Sequence, residues 1–384
     1  MTDELTSLQW IKELVAIDST SDRSNLPILE LIDTQLRKAG ARTAFRPNQH
    51  RNKANLVASF PSADGSLAGG LVLSGHTDAV PVEGQDWTSD PYTAEVKDGR
   101  IYGRGTADMK GFIGAALSVV PRIQQAQLRE PIHYVLSYDE EIGLHGGAQI
   151  ASDLQELGLS PRHCVVGEPT GMQAVRAHKS FSLASISVRG VDGHSSRAPH
   201  LVNAAFYGAQ LVGFIEQLAK EFEDHGPFDS TYDVPFSTIS VNQILSGNAS
   251  NTVPALCQIR LDLRTIPAMP PLQVLDRVRA HAQTLEKQMQ DLDITVEAIA
   301  LAPGLDTSPR STLLAALNDA GVSSGGSVAY GTEAGFFDAA GIETVVCGPG
   351  SIAQAHIADE YVAIEQIAEC ERVLGALIDT YCEV

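Results

Sequence analysis

Two histidines and five acidic residues stand at or just beyond the ends of short apolar runs, or in the loops that follow. His76 and Asp78 follow LVLSG, Asp108 lies in GTADMKG, Glu140 and Glu141 follow IHYVLSY, Glu168 ends HCVVGE, and His356 lies in the loop after ETVVCG. Two imidazoles with several carboxylates and no thiolate suit Zn2+, Co2+ or Mn2+ better than Ca2+ or Mg2+, with Zn2+ the first expectation. Two divalent ions bring four positive charges, and Asp108, Glu141 and Glu168 as ligands return three negative ones. Such a balance favours ionisation of bound water near neutral pH. Each residue alone has a plainer use. A single histidine is more often structural, adjacent acids usually face solvent, and Asp108 before a helix could be an N-cap. Against this, Glu140-Glu141 directly follow a buried apolar run, and all of these residues recur at equivalent topological places.

Those places are set by alternating elements. Residues 8–17 and 26–40 have helical periodicity, and LVASF (56–60) and LVLSG (71–75) are short apolar runs of the kind that form buried strands. A helix over 112–125 should bend or end at Pro121, followed by a strand at 132–138, a helix at 147–157 and a strand at 163–168. This alternation predicts an α/β domain with a largely parallel sheet, whose strand ends form a ligand crevice. From about Phe181 the pattern changes to strand (182–190), helix (201–222), two strands (236–244, 255–264) and helix (274–289). After residue 300 the α/β pattern resumes, with helices at 311–320 and 363–382 around a strand at 343–348. The expected fold class is α/β: a discontinuous α/β domain, 1–179 with 293–384, carrying an inserted α+β domain over 180–292. The chain should cross between them near 178–181 and 291–295.

The bulk properties narrow the partners. A chain of 384 residues is long enough for two cores, and a net charge of -20 argues against nucleic acid and anionic membrane surfaces. The N-terminal MTDELTSLQW lacks the basic-then-apolar pattern of a secretion signal, and no apolar run reaches the roughly 18–20 residues of a membrane span. Cys164, Cys257, Cys347, Cys370 and Cys382 are scattered and odd in number, as expected of free thiols in a reducing cytoplasm. No G-x-G-x-x-G follows the first strand, which disfavours a dinucleotide-dependent oxidoreductase.

GHTDAVPV (75–82), GRGTADMKG (103–111), DEE (139–141) and GEPT (167–170) resemble, in order and context, the M20 metallopeptidase family. That family includes acetylornithine deacetylase, succinyl-diaminopimelate desuccinylase, aminoacylase and glutamate carboxypeptidase, and the resemblance runs from about residue 8 to the C-terminus. It implies a di-zinc amidohydrolase in which His76 binds one metal, His356 the other, and Asp108 bridges them. Glu168 would complete the site of His76, and Glu141 that of His356. Asp78 would hydrogen-bond the His76 ring and fix its tautomer. Glu140 would be the general base, taking a proton from water and delivering it to the leaving amine. A cis peptide is implied between Asp108 and Met109. The inserted domain would be a lid and the contact of a homodimer, with His194 of GHSS reaching the partner's site as oxyanion donor. Arg264 would hold the substrate α-carboxylate, assisted by Asn251.

AVRAHKS (174–180), LDLRTIPAMP (261–270), YGTEAGFF (330–337) and CGPGSIAQAHIADEY (347–361) look most like the acetylornithine deacetylases of the family. Ser180 stands where those usually have glycine, and GNASNTVPA (247–255) lies between the deacetylase and desuccinylase forms of its loop. The implied substrate is N2-acetyl-L-ornithine, cleaved with water to L-ornithine and acetate for arginine biosynthesis. Acetylcitrulline, acyl-diaminopimelate and general aminoacylase substrates are the alternatives. A non-catalytic binding protein of the same fold is a distant one.

Overall fold

The computed structural model describes residues 5–381. The terminal helix is described over Ile364–Tyr381, and Cys382 lies outside the described residues. Two compact units are present: Met1–Ala177, Asp306–Gly326 and Thr332–Val384 form the first, His178–Leu305 and Ser327–Gly331 the second.

The first unit is built on a nine-stranded mixed sheet. Its middle runs in the order Ala54–Phe60, Ile132–Ser137, Leu71–His76, His163–Val166, Glu343–Val346. The last four are mutually parallel, and Ala54–Phe60 pairs antiparallel with Ile132–Ser137. Every residue of Ala54–Phe60, Leu71–His76 and Ile132–Ser137 is buried, so these strands read as continuous apolar runs rather than alternating ones. The helix Ser7–Val15, closed by a Thr6–Gln9 capping box, buries Trp10, Ile11 and Leu14. The helix expected over 112–125 is broken in two, Lys110–Ser118 and Val120–Gln125, with Pro121 in the first turn of the second piece. Proline removes the N–H that a continuous helix would need there.

The second unit is a four-stranded antiparallel sheet in the order Thr238–Ser246, Leu256–Arg264, Phe181–Arg189, Asp293–Ala302. Helices Ala204–His225 and Pro271–Gln288 bury Leu211, Ile215, Leu218, Val274 and Val278 in one core with Ile186, Val188, Ile259 and Leu261 of the strands. The α/β and α+β assignments therefore hold, but the second boundary does not fall at 292. DITVEAIALA forms the strand Asp293–Ala302 on the free edge of Phe181–Arg189, and the inserted unit continues to Leu305. Among the described residues, no helix is long and apolar enough to cross a membrane.

One close approach in the first unit sets the position of a candidate ligand. A Cβ on Gly167 would lie 1.9 Å from the Phe112 ring, so glycine lets the helix Lys110–Ser118 sit flat on the strand end just before Glu168. Gly167→Ala is expected to cost at least about 1–3 kcal/mol in denaturant unfolding, by overpacking. Gly213→Ala, in open space within the helix Ala204–His225, should instead gain up to about 1 kcal/mol.

Candidate metal centre

Four parallel strands deliver the charged residues from their carboxyl ends. His76 is the last residue of Leu71–His76, Glu140 and Glu141 follow Ile132–Ser137 by a tight turn, and Glu168 follows His163–Val166. His356 comes from the loop after Glu343–Val346, with φ at +64°. Asp108 stands two residues before the helix Lys110–Ser118, and the Asp108–Met109 peptide is cis, as the resemblance implied. Asp108 does not cap that helix: Met109 holds the N-cap position without a side-chain bond.

These residues meet as two ligand sets sharing one member, His76–Asp108–Glu168 and Asp108–Glu141–His356. The two Asp108 oxygens diverge. Oδ1 lies 2.8 Å from His76 Nε2, and Oδ2 lies 3.4 Å from His356 Nε2. Glu141 Oε2 is 2.9 Å from His356 Nε2, and Glu168 Oε1 is 3.8 Å from His76 Nε2. His76, Asp108 and Glu168 are buried, whereas the His356 side chain is 50% exposed.

The chemistry of the donors tests whether they suit divalent ions. Oε1 of Glu141 and Oε1 of Glu168 are buried without a hydrogen-bond partner, which is costly unless a cation satisfies them. Burial, reinforced by neighbouring carboxylates, pushes the Glu140 and Glu168 carboxyls well above the usual range and Glu141 up to about 7. Carboxylates crowded in this way without a neutralising cation are electrostatically unfavourable. The set fits two divalent ions, and its N and O donors without sulfur favour Zn2+. The two clusters form a di-metal amidohydrolase centre.

Asp78 meets the His76 ring, as the resemblance implied, and does so through its main chain. His76 Nδ1 lies 3.0 Å from the Asp78 main-chain carbonyl and 3.6 Å from its carboxylate. The ring tautomer is therefore set by the backbone, with Nδ1–H donating to the carbonyl and Nε2 free to bind. The Asp78 carboxylate instead accepts from the backbone N–H groups of Glu140 (3.1 Å) and Glu141 (3.3 Å) and from Ser21 Oγ (2.7 Å). Its burial excludes water from those bonds, so Asp78 fixes the turn that carries both glutamates.

Further supporting residues were not singled out from the sequence. Lys53 donates to Asp139 and to the Ser21 carbonyl, bracing Asp139 at φ +54° immediately before Glu140. Buried Glu333 accepts from Ser74 Oγ (2.7 Å) and Ser137 Oγ (2.6 Å), tying the ends of the two central strands together. Lys53 lies outside the quoted segments, Glu333 falls in YGTEAGFF without a role implied for it, and Ser21 is one polar residue in a polar stretch.

His194, Asn251 and Arg264 belong to the second unit. His194 is exposed, in a two-residue strand paired with Thr252–Val253, and the Asn251 carbonyl accepts from Ser195 N at 2.9 Å. His194 Nδ1 accepts the Ser196 backbone N–H at 3.2 Å, leaving Nε2 to carry the proton of the neutral ring. Arg264 Nε and Nη2 donate to both oxygens of Asp262, at 2.9 and 3.1 Å, and its guanidinium lies 4.5 Å from the Phe181 ring centre.

The sequence profile of Peptidase family M20/M25/M40 matches residues 72–380. An acetylornithine deacetylase of Myxococcus xanthus is 36% identical over 389 aligned positions, covering 100% of this chain and 99% of the relative. Another, of Edwardsiella ictaluri (strain 93-146), is 33% identical, covering 96% of this chain and 94% of the relative. Among solved structures, an M20-family metallo-carboxypeptidase of Sulfolobus solfataricus superposes with a TM-score of 0.76 at 18% identity, covering 99% of both chains. An aminopeptidase of Bacillus cereus does so at 0.72 and 20%, covering 98% of both. At those identities the structural likeness speaks to the fold alone.

Calorimetric titration of the chelator-treated protein should show two equivalents of Zn2+ or Co2+ bound. Glu168→Ala should remove tight binding of one ion, and Asp108→Ala of both, because only Asp108 serves both sets. Loss of just one ion in Asp108→Ala would show that it does not bridge.

Proposed function

The chain belongs to Peptidase family M20/M25/M40, and we propose that it hydrolyses N2-acetyl-L-ornithine to L-ornithine and acetate. Metal-dependent hydrolysis of an amide or peptide bond is the activity of the family and of the di-metal centre. The observation that carries the finer reading is full-length similarity to two acetylornithine deacetylases, together with an intact ligand set. A complete set with an unligated glutamate beside it also speaks against a non-catalytic binding protein.

When bound, the two ions would polarise the amide carbonyl and acidify the attacking water. Glu140 belongs to neither ligand set, yet its carboxyl feels the charges of His76, Glu141 and Asp108. It takes one proton from water as the C–O bond forms and passes it to the nitrogen as the C–N bond breaks. Asp78 holds the Glu140 backbone in place for both transfers. His194, supplied by the second copy of a homodimer, donates Nε2–H to the oxyanion. Arg264 receives the substrate α-carboxylate: Asp262 occupies its Nε–Nη2 edge, which leaves the edge that includes Nη1 for a ligand. Asn251 supports the turn beside His194. The product would feed arginine biosynthesis in the cytoplasm, a reducing compartment compatible with the buried free thiols of Cys164, Cys257, Cys347 and Cys370.

Ser180 favours a second reading, another N-acyl amino acid such as acetylcitrulline or an acyl-diaminopimelate. Where glycine was expected, its buried hydroxyl accepts from Thr265 N at 2.8 Å, beside Arg264, and could alter how the α-carboxylate is received. Side-by-side rates on acetyl-ornithine, acetyl-citrulline, succinyl-diaminopimelate and other acetyl amino acids decide between the readings. Acetyl-ornithine should give the highest kcat/KM, and a clear preference for another substrate would replace it.

Glu140→Gln should keep both metals and substrate affinity while lowering kcat by about 10²–10⁴. Retention of more than about a tenth of the rate would exclude Glu140 as the base. The partner role of His194 is tested by mixing His194→Ala with Glu140→Gln subunits, each nearly inactive alone. Statistical exchange makes about half the dimers mixed, each with one complete site, so recovery of about a quarter of wild-type activity is expected. Absence of recovery despite proven exchange would mean that His194 does not act across the dimer.

A further inference from the structure

Glu360 is 1% exposed and follows His356 by four positions. Its carboxylate receives four donors, all from the segment that leads into Asp108. Oε1 accepts from Ala107 N (2.8 Å) and Asp108 N (3.1 Å), and Oε2 from Gly105 N (3.0 Å) and Arg104 Nη1 (2.7 Å). The main chain adds Gly103 N to the Glu360 carbonyl at 2.9 Å. Arg104, also 1% exposed, extends the link: its Nη2 donates to Gln85 Oε1, and Gln85 Nε2 donates to the His356 carbonyl at 2.8 Å. Three loops of the first unit are thus fastened to one another around a buried ion pair.

We propose that Glu360, with Arg104 and Gln85, is the positioning residue that sets the metal-binding geometry of Asp108 and His356. This rests on reading the two clusters as a di-metal centre. The argument is one of satisfiability. Asp108 must present one oxygen to each ligand set, so its backbone orientation matters more than that of a terminal ligand. Glu360 holds the Asp108 N–H itself and that of the residue before it. His356 is half exposed at a positive φ, so its loop depends on these polar ties for its course. Three backbone N–H groups and a guanidinium are all donors, and only a carboxylate offers enough acceptor capacity to take them together. Glutamine would turn an NH2 group toward backbone N–H donors on one side or toward Gly105 N and Arg104 on the other. Either orientation sets donor against donor, so even this isosteric change should shift Asp108.

The test is calorimetric titration of metal-free proteins with Co2+, read together with the visible absorption of the bound ion and thermal unfolding. Wild type should bind two ions; if it does not, the reading of the centre fails before the role of Glu360 is addressed. Glu360→Gln should weaken both ions by about 10–100-fold and alter the Co2+ spectrum. Gln85→Leu removes the tie to His356 and the acceptor for Arg104 Nη2 and Trp87 Nε1 but leaves every bond of Glu360 in place, so it should weaken the ion held by His356 and leave the other. Glu343→Gln serves as control: Glu343 accepts from Ser311 Oγ and Leu313 N at the opposite, amino end of the parallel strands. It should lower the unfolding temperature without changing metal affinity or spectrum. Unchanged affinity and spectrum in Glu360→Gln, with two ions bound by wild type, would overturn the proposal. If Glu360→Gln does not fold, Gln85→Leu decides: weakening of one ion supports the linkage, and unchanged binding of both rejects it.

Discussion

One carboxylate, Asp108, has to face two ligand sets at once, and much of the first unit is arranged to make that possible. Its two oxygens point to different imidazoles, 2.8 Å from His76 and 3.4 Å from His356. Glu141 and Glu168 then add charge on either side, each with a buried oxygen that no protein donor satisfies. The fold therefore concentrates negative charge where water is largely excluded, an arrangement that is stable only with cations to neutralise it. Folding energy is spent here to prepare a site that metal binding completes.

Parallel strands are the physical reason that such distant residues converge. Ile132–Ser137, Leu71–His76, His163–Val166 and Glu343–Val346 run in the same direction, so their carboxyl ends open on one edge of the sheet. Buried strands are rigid, and ligands placed on or next to them inherit that rigidity. What the strands do not fix is fixed by buried polar groups. Asp78 holds the Glu140–Glu141 turn through its backbone, and Glu333 ties Ser74 to Ser137 beneath it. Each works as an acceptor for donors that would otherwise be buried without partners.

The ligand types, the α/β and α+β succession and the break at Pro121 were legible because each rests on local pattern. Apolar runs ending in His or Glu identify strand ends whatever the rest of the chain does. The strand Asp293–Ala302 is not legible in the same way, although DITVEAIALA contains the alternation Ile294, Val296 and Ala298, because it follows a helix that by local pattern closes the unit. Its place depends on a free edge of Phe181–Arg189, which is a tertiary fact. Which oxygen of Asp78 makes the bond is hidden for a similar reason. An aspartate two residues after a histidine suggests a carboxylate–imidazole contact, but the carbonyl of the same residue lies closer to Nδ1. Sequence names the residue; only the backbone course says which of its oxygens is used.

On the proposed reading, the two units divide the activity between them. Every member of the two ligand sets, together with Glu140, Asp78 and Glu333, belongs to the first unit, whereas His194, Asn251 and Arg264 belong to the second. The second unit has its own core, so its polar surface can change without disturbing the packing that holds the metal ligands. Arg264 illustrates the freedom this gives. Its guanidinium is oriented by Asp262 and Phe181 within its own sheet, and Ser180 braces the neighbouring Thr265. A single substitution among those residues would re-aim the guanidinium while leaving the distances around Asp108 as they are. On that reading, bond cleavage and choice of substrate would be set by separately folded surfaces, each resting on a core of its own.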